Sequence, residues 1–120
     1  MKISHNKRKA VWGLMVLVVV VLSLLPQDNI PVKMPFTDKT AHFVTYAILS
    51  FFALLSSRQK HSLFAILAVQ IFIGTFLEGA QSFVPGRMPE FLDIVANSLG
   101  VLLGAIAYFI FRKIKPIEQK

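Results

Sequence analysis

Nine polar residues with chemically useful side chains stand inside or beside strongly apolar segments of this chain: Asp38, Lys39, His42, Tyr46, Glu78, Gln81, Arg87, Asp93 and Asn97. An ionisable group at the centre of a membrane span costs about 2.5–3.5 kcal/mol on insertion scales, so such residues ordinarily have a role. His42 beside Glu78 or Asp93 is a combination suited to general acid–base catalysis, because imidazole titrates near neutrality and a carboxylate orients it. These three are the catalytic candidates. The structural alternative is that the same side chains hydrogen-bond between helices and fix their pairing. Arg87 carries the planar fork that clamps a phosphate or carboxylate, although Glu90 and Asp93 are alternative partners. Asn97 and Gln81 read as network members that satisfy the charged groups. Tyr46 lines the site or belongs to an interfacial aromatic belt, where Trp12 and Tyr108 are also expected, on the opposite side.

Asp38, His42, Glu78 and Asp93 offer the oxygen and imidazole atoms that metals accept. Short ligand motifs such as His-x-x-x-His are absent, so neither a metal nor another cofactor is expected. The chain has no cysteine, which excludes disulfides, thiolate metal sites and a cysteine nucleophile. Ser50, Ser56 and Ser82 show no triad partners, which argues against a serine hydrolase.

The elements that must position these residues are read from hydropathy. Of 120 residues, 55% are hydrophobic and 16% charged, and the mean hydropathy is +0.64. Four apolar blocks stand out: Ala10–Leu25, Ala41–Ser56, Ser62–Val84 and Phe91–Phe111. A spanning helix needs about 20 apolar residues. The last two blocks meet that need, and the first two reach it by borrowing flanking residues. The expected fold is all-α: a four-helix transmembrane bundle in one domain, with helices over 10–25, 38–56, 62–84 and 91–111. Pro26, Pro31 and Pro35 keep the one long loop irregular, Thr37 or Asp38 is a plausible N-cap, and Pro85-Gly86 marks a return turn. Ser23-Leu24-Leu25-Pro26 offers no small-x-small cleavage site, so the first segment is expected to be retained.

Loop charge sets the orientation. Ten of the thirteen Lys and Arg residues fall before the first helix, between the second and third, or after the fourth, with Glu118 as the one acidic residue there. The positive-inside bias then places both termini of a multi-pass membrane protein in the cytoplasm. Basic clusters beside helix ends suit anionic lipid head groups, so nucleic acid is not an expected partner. This topology puts the start of helix 2, the end of helix 3 and the start of helix 4 on the extracytoplasmic side. Helical rise places His42 and Tyr46 roughly 6 and 12 Å below Asp38, Glu78 about 10 Å below Pro85, and Asp93 and Asn97 roughly 4 and 10 Å below Glu90. Within each helix the polar residues recur at i, i+3 or i+4 and share a face. One site at one depth is expected. Gly74 and Gly79 would let a neighbour or ligand approach helix 3. Gly100-x-x-x-Gly104 allows close helix packing within the bundle or, as a weaker reading, in a dimer.

The order Asp38-Lys39-x-x-His42-Phe43-x-x-Tyr46, Glu78-x-x-Gln81 and Arg87-x5-Asp93-x3-Asn97-x2-Gly100-x3-Gly104 resembles the VanZ-like family of small bacterial membrane proteins. The likeness runs from about residue 36 to 110. It implies a membrane bundle and a context of resistance to the glycopeptide antibiotic teicoplanin, but no defined reaction. Three functions are compatible with these residues. The first is an outward-facing polar pocket that recognises an amphiphilic envelope component or a lipoglycopeptide. The second is a membrane-embedded acid–base enzyme acting on a lipid-linked substrate, and the third is a purely structural network. Membrane lipids are partners in all three.

Overall fold

The computed structural model describes residues 4–25, 38–57, 62–86 and 90–115. They form four α-helices: α1 His5–Leu24, α2 Asp38–Ser56, α3 Leu63–Ala80 and α4 Phe91–Ile114, with a short 3-10 turn, Gln81–Phe83, closing α3. No strand occurs among the described residues. The helices pack into an elongated bundle of 45 × 26 × 23 Å.

Helices α2, α3 and α4 are each long and apolar enough to cross a membrane. The first helix carries Lys7, Arg8 and Lys9 in its opening turns, which leaves Ala10–Leu24 as its apolar part. It starts five residues earlier than its hydropathy indicates because Ser4 caps it, its side chain accepting from the Lys7 amide at 3.3 Å. Two side-chain bonds show how α1 lies. Ser56 Oγ, at the end of α2, donates to the Arg8 carbonyl at 2.9 Å. Gln81 Nε2, just past α3, donates to the Ser23 carbonyl at 3.1 Å. The helix therefore runs antiparallel to α2, from one end of the bundle to the other.

The two helices that pack most closely, α2 and α4, are parallel. The glycine pair makes this approach possible. A Cβ at Gly100 would run into the Phe43 carbonyl, and one at Gly104 into the Ala47 carbonyl. Ser50, fully buried on α2, donates to the Val101 carbonyl at 2.8 Å across the same seam. The Gly100/Gly104 pair is thus engaged within the chain, in contact with α2. Tyr46, Leu49 and Val101 form one buried cluster, and Leu54, Ala105 and Tyr108 a second.

The packing corrects one expectation about an aromatic residue. Tyr108 is a core residue and not an interfacial one: it is buried, lies edge-on to Phe51 at 6.1 Å, and has the Arg112 guanidinium 5.9 Å from its ring centroid. Trp12 is half-buried and packs against the Tyr46–Leu49–Val101 cluster. Aromatic type and distance from a helix end are visible in sequence, whereas the direction a side chain faces is set by neighbouring helices. The outer surface is apolar instead. Phe64, Phe72 and Phe76 of α3 and Phe83 of its closing turn are all exposed, as are Leu99, Leu102, Leu103, Ile106 and Ile110 on α4. In water so large an apolar surface would drive aggregation, and against acyl chains it is the ordinary exterior.

Candidate functional site

One end of the bundle gathers the start of α2, the end of α3 and the start of α4. His42 lies one helical turn along α2 from Lys39, and Tyr46 one turn further, so helical periodicity aligns them on one face. Asp93 and Asn97 repeat this spacing on α4. Glu78 comes from the last turns of α3. Glu90 precedes α4 with extended backbone, and its amide donates to Glu78 Oε1 at 2.8 Å. That bond ties the end of α3 to the beginning of α4.

At the centre, Asn97 Oδ1 accepts from His42 Nδ1 at 2.8 Å. An amide oxygen can only accept, so this bond selects the tautomer with its proton on Nδ1. His42, Glu78 and Asp93 each present one ligating atom, and these atoms lie within 4.8 Å of one another. Glu78, Asp93 and Asn97 are only 3%, 2% and 2% exposed, while His42 is half-buried. Lys39 Nζ sits at the rim, 2.6 Å from Glu90 Oε2 and 3.6 Å from Asp93 Oδ1. Side-chain exposures of 41% and 54% make the Lys39–Glu90 pair a solvated one, and pairs of that kind add little to stability.

Tyr46 lies beneath this cluster, buried against α3 where Gly74 leaves room. A Cβ on Gly74 would stand 3.0 Å from the tyrosine Cε1 and 3.1 Å from Asn97 Nδ2. Gly74 is therefore the position at which α2, α3 and α4 meet below the polar residues. Gly79 serves no such purpose, with nothing within 4 Å of where its Cβ would be.

Of the nine residues singled out by sequence, the structure brings together Lys39, His42, Glu78, Asp93 and Asn97, with Tyr46 beneath them. Gln81 does not join them by a hydrogen bond. It is buried, but its amide ties α3 to Ser23 of α1, a structural task. Arg87 and the Asp38 side chain lie outside the described residues. Sequence reading passed over Glu90 as a site member, since it stands before α4 like an ordinary turn residue. Its position one residue ahead of the helix, where an amide has no intrahelical partner, was the available signal.

The arrangement concentrates negative charge: three carboxylates and one lysine among the described residues. Two of those carboxylates are buried, and the effective cost of burying an ion is still several kcal/mol, of order 3 or more, unless it is paired. Glu78 Oε2 and Asp93 Oδ1 are buried atoms without a close hydrogen-bond partner, and Asp93 Oδ1 faces the Lys39 amine at 3.6 Å.

Comparison with known proteins adds a relationship to this geometry. The profile of the VanZ/LLP1 family matches residues 9–112, nearly the whole chain and every residue of the cluster. The chain belongs to the VanZ/LLP1 family. It is also similar to an uncharacterised protein of Schizosaccharomyces pombe, 29% identical over 110 residues, covering 88% of this chain and 67% of the relative. No solved structure matches it significantly. The match begins at Lys9, so in this VanZ/LLP1 protein the apolar part of α1 is part of the family unit, in keeping with the bond from Gln81 to the Ser23 carbonyl.

Proposed function

We propose that this VanZ/LLP1 protein recognises the head group of an anionic amphiphile at the extracytoplasmic face of a bacterial inner membrane. One observation carries the proposal: the half-buried His42–Asn97 pair and the Glu78 and Asp93 carboxylates sit at a single end of an otherwise lipid-like bundle, with Lys39 on the rim. Helical rise puts His42 about 5 Å from Lys39 along α2, one turn inside the rim. The basic residues Lys7–Lys9 and Arg112–Lys115 are at the other end of the bundle, so positive-inside bias faces the site outward with both termini cytoplasmic.

In this reading Lys39 exchanges Glu90 for a phosphate or carboxylate oxygen of the ligand, and Arg87, between α3 and α4 in sequence, provides the second cation. The acidic residues beneath hold the lysine amine in place. The fission-yeast relative favours a ligand that yeast membranes also contain, such as a phospholipid, over a lipoglycopeptide of the teicoplanin type.

The test is mass spectrometry of amphiphiles co-purifying with the full-length protein. Wild type is expected to retain a defined set that Arg87→Ala and Lys39→Ala lose at normal abundance. The same set at the same occupancy in all three proteins would refute head-group recognition. An acid–base enzyme, favoured by the juxtaposition of His42 with two carboxylates, would instead convert the bound amphiphile, and His42→Ala would accumulate it unchanged. A purely structural network would show itself as loss of folded protein in His42→Ala and Glu78→Ala.

A further inference from the structure

We infer that His42, Glu78 and Asp93 form a binding site for a divalent transition-metal ion, of the zinc or manganese class. Four observations converge on it. The three ligating atoms lie within 4.8 Å of one another, though they come from three helices and are separated by 36 and 15 residues in sequence. Around an ion with metal–ligand distances near 2.1 Å, tetrahedral ligands stand about 3.4 Å apart, so closure needs side-chain movements of about 1 Å. Glu78 and Asp93 are more than nine-tenths buried, and each has a buried oxygen with no hydrogen-bond partner. Asn97 Oδ1 lies 2.8 Å from His42 Nδ1, and a hydrogen-bond partner on one ring nitrogen is typical of a histidine that binds metal through the other.

Charge points the same way: three carboxylates, Glu78, Asp93 and Glu90, gather around one lysine and one imidazole among the described residues, and a dication would offset the excess. One imidazole and two carboxylates are a mixed nitrogen–oxygen set, which suits zinc or manganese better than calcium or magnesium, whose usual ligands are oxygen alone. Three protein ligands leave a coordination position open, as in catalytic rather than structural sites. No spacing in the sequence announces this set, because each ligand is supplied by a different helix. The inference does not depend on head-group recognition, since metal binding is measured without added lipid.

The experiment is elemental analysis of tag-free, full-length protein in detergent, after stripping with chelator and equilibration with zinc or manganese chloride, followed by desalting. Wild type is expected to retain about one equivalent, and its thermal midpoint to rise on metal addition. Glu78→Gln and Asp93→Asn, which preserve side-chain shape, are expected to weaken binding by at least 100-fold and to abolish the thermal shift. Asn97→Ala, a positioning change, is expected to weaken it by about 10- to 100-fold. Should either carboxamide variant not fold, the other and Asn97→Ala carry the comparison. Absence of stoichiometric metal in folded wild type overturns the assignment. So does equal retention by wild type and a folded carboxamide variant, which would locate the metal elsewhere.

Discussion

Replacing Gly104 by alanine tests the central packing argument. The added Cβ would run into the Ala47 carbonyl and approach Ser50 Cβ to 2.9 Å, so α2 and α4 must separate by about 1 Å to restore van der Waals contact. Overpacking of this kind costs about 1–3 kcal/mol. The same separation stretches the 2.8 Å bond from Ser50 Oγ to the Val101 carbonyl beyond hydrogen-bonding range, at a further cost of roughly 1 kcal/mol. Against this, alanine gains about 1 kcal/mol of helix propensity over glycine. The net expectation is a loss of about 1–3 kcal/mol, or roughly 5- to 150-fold in the folding equilibrium. Unfolding in mixed detergent–SDS micelles, followed by far-UV circular dichroism, measures it. Gly13→Ala is the internal control, because nothing lies within 4 Å of its Cβ position and only the propensity gain remains. If Gly104→Ala proves as stable as Gly13→Ala, the close approach of α2 and α4 is wrong, and so is the common end at which they place His42 and Asn97.

The remaining expectations follow from single contacts. Gly74→Ala should disturb Asn97 and Tyr46 together, so nitrogen NMR of His42 is expected to report a weakened Nδ1 hydrogen bond; an unchanged spectrum would show that the cluster does not rest on that glycine. Gln81→Leu removes the tie to Ser23 and should lower stability by about 1 kcal/mol while metal and lipid binding persist, which separates its structural task from the site. The chain has no cysteine, so single cysteines report sidedness directly. Phe83→Cys should react with a membrane-impermeant thiol reagent added outside cells, and Lys115→Cys only after permeabilisation. Reaction of both from one side contradicts the orientation.

The sequence by itself determined much of this protein. Length and hydropathy required a helical membrane domain, since only helices or closed barrels satisfy their backbone in lipid. The repeats at i, i+3 and i+4 around His42 and Asp93 placed the polar residues on helix faces, and equal depth made their meeting testable. Tertiary structure decided which of them meet. Gln81 has the same spacing from Glu78 that Asn97 approaches with Asp93, yet it turns to Ser23, because which face of α3 points to α1 depends on packing rather than periodicity. Glu90 entered the site through its backbone amide, a group every residue but proline carries and which no sequence pattern singles out. Tyr108 went to the interior for the same reason. His42, Glu78 and Asp93 were recognisable in sequence as residues with metal-accepting atoms, but their convergence was decided only in three dimensions: three helices contribute one each, and their meeting depends on the glycines that let α2 and α4 touch.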